Sequence, residues 1–162
     1  MKKIILILIP CISIFFFACN RDLKNSEAFI GDYTGEATAT GEYTAVDPST
    51  GESIVNDINE TADLNFSVKL GEVDNEIVFY NLINNNTELS AEVDGKDFII
   101  KPTKIIMNML FYIINLDVSG SGTLVDDNLS FSIEMSGSGY GLLEESSTIQ
   151  YTSTITGTAI KN

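Results

Sequence analysis

The 162-residue chain reads as an all-β protein, an antiparallel meander of about eight strands closing into a small barrel, with a two-sheet β-sandwich as the alternative. Three observations predict this. Apolar and polar residues alternate with a period of two over most of the chain after residue 30, the pattern of half-buried strands. Turn-forming clusters separate the alternating runs at short intervals. No segment carries a convincing helical period. Short connections make sequential strands antiparallel neighbours. Closure is favoured over an open stack because open edges need guarding charges, and the chain holds only nine Lys and Arg.

The first strand places Tyr33, Gly35, Ala37, Ala39, Gly41 and Tyr43 on one face and Thr34, Glu36, Thr38, Thr40 and Glu42 on the other. Small residues on the inward face predict close approach by another backbone. Asp47-Pro48-Ser49-Thr50-Gly51 is a loop by composition. The second strand turns Ala62, Leu64, Phe66, Val68 and Leu70 inward, and a third, Glu76 to Ile83, turns in Ile77 and Phe79. Leu89, Ala91 and Val93 form a fourth. Asp94-Gly95 is read as the centre of a type I′ hairpin turn, both central positions of which need positive φ. Phe98 and Ile100 lie on the returning strand, which Pro102 is expected to end because proline cannot donate to a ladder.

Ile105 to Ile114 is apolar on both parities. It suits a strand buried on both faces, a short core helix or, if exposed, a docking patch. It is too short to span a bilayer. Alternation resumes at Leu116, Val118, Gly120, Gly122 and Leu124, and again at Leu129, Phe131, Ile133 and Met135. Ser136 to Gly141 reads as a Gly-rich connection. The last strand carries Ile149, Tyr151, Ile155 and Ala159 inward.

The N-terminus has a different character. Lys2 and Lys3 precede a run from Ile4 to Phe17 that is almost wholly apolar, followed by Ala18, Cys19 and an abrupt polar stretch. These are the parts of an export signal. Phe16-Phe17-Ala18-Cys19 resembles a lipobox, the processing signal of bacterial lipoproteins. Ala18 and Cys19 match its small residue and cysteine, and the two Phe residues depart from the usual aliphatic and small choices. The resemblance implies that residues 1–18 are removed and that Cys19 becomes the lipid attachment site. Residues 19–28, polar and aperiodic, are then a tether, and residues 29–162 the β-barrel domain.

A second resemblance covers that domain. A Tyr-x-Gly-x-Ala strand soon after a lipidated Cys is followed by Ile77-x-Phe79-x-Asn81-Leu82, the Asp94-Gly95 hairpin and Ser119-Gly120-Ser121-Gly122-Thr123. In this order they resemble the small lipocalin-like (calycin-like) lipoproteins of Bacteroidota. The resemblance implies a lipocalin-like barrel and an address in the cell envelope, lipid-anchored at the outer membrane.

Composition excludes several functions. Removing the signal leaves seven of nine Lys and Arg but all 23 Asp and Glu, a formal charge of −16. Such a chain repels phosphate backbones, so nucleic acid is not an expected partner. The chain has no histidine, which rules out Ser-His-Asp triads, Cys-His pairs and histidine metal sites. With Cys11 removed and Cys19 acylated, no thiol or disulfide remains. No phosphate-cradling glycine motif occurs. Glu134 and Glu144-Glu145 are the carboxylates nearest to candidates for glycoside chemistry, but they read as an outward strand residue and a loop. Asp126-Asp127-Asn128 and Asp94-x-x-Asp97 lack the spaced ligands of a calcium loop and read as turns. The expectation is therefore no enzyme, no catalytic residue, no metal and no cofactor.

What remains is binding. The expected partners are the membrane, through the N-terminal lipid, and either a small apolar ligand or an envelope protein. A ligand within or at the mouth of the barrel would be lined by Tyr33, Tyr43, Phe66, Phe79, Phe98, Phe131 and Tyr151. The alternative is an accessory lipoprotein with a filled barrel, in which the same aromatics are core.

Overall fold

The computed structural model describes residues 23–47, 49–109, 111–142 and 147–162. The signal segment, Cys19 and Glu144-Glu145 lie outside the described residues. A short helix, α1 (Leu23–Phe29), precedes eight strands: β1 (Gly31–Val46), β2 (Ser53–Leu70), β3 (Glu76–Tyr80), β4 (Glu88–Asp94), β5 (Asp97–Met109), β6 (Tyr112–Val125), β7 (Asn128–Gly141) and β8 (Thr148–Lys161). Every sequential pair is antiparallel, and β1 also pairs with β8, so the meander closes on itself as a barrel.

Strand lengths make the barrel uneven. β1, β2, β5, β6, β7 and β8 each run 13 to 18 residues, whereas β3 and β4 have five and seven. β3 reaches β2 only at Ser67–Leu70, and β4 reaches β5 only over Asp97–Ile100. The ring is therefore complete at the end where β1 begins, here called the base. At the other end, the mouth, Ser53–Phe66 of β2 and Thr103–Met109 of β5 are paired on one side only among the described residues. Above β3 and β4 the wall is open.

The base is filled. Tyr33 stacks on Phe66 with ring centroids 5.3 Å apart, and Phe66 meets Phe79 and Phe131 at 6.2 and 6.3 Å. Phe79 lies 5.0 Å from Phe98, and Phe29 of α1 stands edge-on to Phe98 at 5.9 Å. Ile77, Leu89, Ile100, Leu129 and Ile133 complete this buried core. Offset and edge-to-face arrangements add to the burial of these rings. Two inward glycines make the room they occupy. A Cβ at Gly157 would lie 2.5 Å from Phe131 Cζ, and one at Gly122 would lie 2.6 Å from Phe98 Cε1.

Several expectations need correction. Residues 23–28, expected within the tether, belong to α1, and Ser26 and Phe29 are buried. The β4–β5 turn is centred on Gly95-Lys96, because Asp94 pairs with Asp97. Only Gly95 there has positive φ, the requirement of a type II′ turn. A turn with two positive φ values does occur, at Asp126-Asp127 between β6 and β7. Pro102 does not end its strand. Register shifts between Ile100 and Thr103, placing Lys101 and Pro102 opposite the single residue Ser119. The resulting bulge absorbs the missing donor. Ser136–Gly141 is the end of β7 and not a connection. Gly137 and Gly139 lie there directly against the backbone of β6. Leu70 and Ala62 are exposed, since β2 passes the open wall and the base rim.

Ile105–Ile114 is neither a doubly buried strand nor a helix. It is the end of β5, a tight turn and the start of β6. Ile106 and Phe111 are 67% and 62% exposed.

Candidate functional site

The inward positions of the mouth half are the part of the barrel not occupied by the aromatic core. On β5 they are Ile105, Met107 and Met109, which face Leu116, Ile114 and Tyr112 of β6. On β1 and β2 they include Tyr43 and Ile58, and on β8 they include Tyr151 and Ile155. Period two aims each set at one face; Leu116, Ile114 and Tyr151 are buried there, and the positions beside the open wall are only partly covered. Tyr43, Ile58, Ile105, Met107, Met109, Tyr112 and Ile155 are all half-buried against the core. The lining on β5 and β6 is therefore apolar and combines unbranched, polarizable methionines with tyrosine, while on β2 Asn56 and Glu60 share the face of Ile58. Such a surface adapts to apolar ligands of varied shape.

One polar side chain of the inner wall is fully buried. Ser153 on β8 pairs with Gly41 and Met135 on its two sides and is buried at 4% exposure. Its Oγ has no hydrogen-bond partner among the described residues. Buried hydroxyls are nearly always partnered; this one is enclosed beside Gly41 and does not face the mouth.

The seven predicted lining residues divide between the two halves of the barrel. Tyr33, Phe66, Phe79, Phe98 and Phe131 belong to the packed base. The Tyr33 hydroxyl donates to the Phe29 carbonyl at 2.8 Å. Burial pushes its pKa up to about 12, with the Asp127 charge adding to the effect. Tyr43 and Tyr151 are direct cross-strand partners on β1 and β8, nearer the mouth. Sequence reasoning missed Ile58, Met107, Met109 and Tyr112. The signal for the methionines is visible, because Met107 and Met109 flank the polar Asn108 in strict alternation.

Depressions lie on the outer surface. One of about 670 Å³ is a trough across β5 to β8 whose lining includes Lys104, Asp117, Ser119, Glu134 and Thr154. Lys104 and Asp117 are cross-strand partners joined at 2.9 Å, and both are largely exposed. Glu134 is exposed on the outward face of β7, as its parity predicts. No group of three or more Asp, Glu, Cys or His is placed to hold a metal ion among the described residues. No described helix is long and apolar enough to cross a membrane.

Comparison with protein-family models, with curated proteins and with solved structures finds no match to this chain.

Proposed function

We propose that the chain is a lipid-tethered protein of the bacterial cell envelope, anchored through Cys19 at the outer membrane, whose barrel mouth holds a small apolar ligand. The observation that carries this reading is the half-buried row Tyr43, Ile58, Ile105, Met107, Met109 and Tyr112 beside an open wall. A packed base beneath it makes a rigid floor, so binding needs little reorganisation.

The test uses the full lipidated chain in membranes and a diazirine-bearing long-chain fatty acid. After photolysis, labels are expected on the peptides carrying Met107–Tyr112, Tyr43 and Ile58. Met107→Asp should reduce this labelling at least tenfold. Labelling confined to the N-terminal segment, or labelling insensitive to Met107→Asp, overturns the reading. The anchor is tested separately. Radioactive palmitate should enter the wild type, and Cys19→Ala should lose both label and membrane retention.

A second reading has its own observation. Phe111 and Leu142 are both exposed at the mouth, and the Leu142 N–H donates to the Phe111 carbonyl at 2.6 Å. Together with Ile106 and Tyr140 they form an exposed apolar tip, the kind of surface through which an accessory lipoprotein docks an envelope protein. If this role holds, Phe111→Ser with Leu142→Ser leaves fatty-acid labelling intact but no longer restores the wild-type envelope phenotype to a deletion strain.

A further inference from the structure

The two walls beside the opening differ in charge. On one side, Ser53–Phe66 of β2 is paired only with β1 among the described residues. β1 and this stretch of β2 contain acids and no Lys or Arg. Two rungs of their ladder even oppose like charges, since Glu36 faces Asp63 and Glu42 faces Asp57. Directly opposed carboxylates weaken a ladder, so this ribbon bears an acidic band that nothing within it neutralises. On the other side, Thr103–Met109 of β5 is paired only with β6. That edge carries Lys104 and no acid; Lys104 meets Asp117 of β6 at 2.9 Å, but both side chains are largely exposed, and such a surface pair exchanges partners at little cost.

An unpaired edge is a template for another strand, and charge is a common guard against it. The carboxylates guard β2 against a second β2. They do not guard it against β5. We infer that the open β5 edge of one copy adds antiparallel to the open β2 edge of a second copy, with Lys104 set against Asp57.

Orientation favours this pairing, and here the inference rests on the proposed Cys19 anchor. β5 runs from base to mouth and β2 from mouth to base. Two copies standing the same way up on one membrane therefore present these edges antiparallel. An antiparallel β5–β5 pair would require one copy to stand inverted. Main-chain hydrogen bonds supply the affinity, and the charged pair sets register. With a formal charge of −16 on the mature chain, copies repel over most of their surfaces, which leaves the lysine-bearing edge as the favoured point of approach. The contact is head-to-tail, so it closes into a ring or extends as an array.

The experiment uses the full lipidated chain in phosphatidylcholine vesicles, labelled with donor or acceptor dyes at Glu52→Cys, since Cys19 is blocked by lipid. Energy transfer should exceed the level set by random placement at the same surface density and should fall as salt rises. Lys104→Glu alone and Asp57→Lys alone should each return it to the random level. Mixing these two reversed species should restore it. Both positions are exposed, and circular dichroism checks that the barrel persists. As a check without substitution, amide exchange in Thr103–Met109 should slow as wild-type density rises. Random-level transfer in the wild type, indifference to either reversal, or no recovery in the mixture overturns the inference. If Cys19→Ala gives the same transfer pattern free in solution, strand addition stands and the anchor reading falls. If the lipidated chain stays on the membrane without transfer, the anchor stands and strand addition falls.

Discussion

Tyr33 and Phe66 are directly opposed on β1 and β2, and their rings stack at 5.3 Å with only 4° between their planes. The pair ties the base together in two ways, since the Tyr33 hydroxyl also holds the end of α1 through the Phe29 carbonyl. Phe66→Ala should destabilise the fold by about 3–5 kcal/mol through cavity formation. Tyr33→Phe keeps the stack but leaves a buried carbonyl unpaired, at a cost of about 1–3 kcal/mol. Urea denaturation measures both, and the Phe66 variant should show the larger loss.

Tyr33 also sets an alkaline limit. Its pKa is pushed up to about 12 by burial and by the nearby Asp127 charge, whereas an unfolded tyrosine titrates near ~10. A raised folded value means that its contribution is fully present below about pH 10 and is lost as pH rises through about 12. Stability should therefore decline across that interval. Tyr33→Phe, although less stable at neutral pH, should decline less steeply there. Denaturation midpoints at several alkaline pH values provide the check.

Gly157 is required by the ring opposite it. Its absent Cβ would lie 2.5 Å from Phe131 Cζ and 3.0 Å from Ala37 Cβ. Gly157→Ala should cost about 1–3 kcal/mol by overpacking. Phe131→Leu in the same chain should recover part of that loss, and the coupling is measured by a double-mutant cycle.

The Glu76–Lys101 pair gives an acid-side dependence. Lys101 Nζ lies 2.7 Å from Glu76 Oε1, and the Glu76 side chain is only 12% exposed. The lysine hydrogen bond outweighs burial and, helped by the Glu72 N–H, holds the Glu76 carboxyl below the usual glutamate range. A depressed value means that the contribution is present above the unfolded pKa and is lost as pH falls through the folded one. Lys101→Met should lower stability at neutral pH and narrow the gap between the urea midpoints at neutral and acid pH.

Much of this fold is legible in the sequence, because a period of two reports which face is buried. Tyr33 and Ala37, Phe66 and Val68, and Phe131 and Ile133 are all inward as their parity predicts. The failures share a cause. Ser136–Gly141 has loop composition but forms strand, since the β6 backbone lies too close there for side chains on Gly137 and Gly139. Pro102 lies within a strand because a bulge accommodates it. Both depend on a partner strand that local composition does not reveal. The apolar run at Ile105–Ile114 misleads in a different way. It joins two strands through a turn and keeps Ile106 and Phe111 in solvent. The division into a filled base and an open mouth depends on how short β3 and β4 are beside their neighbours, which only the register makes visible.

Residue-resolved amide exchange of the full chain, at low surface density and with or without a long-chain fatty acid, tests that division most directly. Slow exchange is expected at Tyr33–Ala37, Phe98–Ile100 and Leu129–Ile133, and fast exchange at alternate residues of Ser53–Asp63 and Thr103–Met109. Fatty acid should slow exchange in the mouth-side segments around Met107 and Tyr43 and leave the base unchanged. Uniform protection from base to mouth, with no response to the fatty acid, would contradict an open apolar mouth above a packed floor.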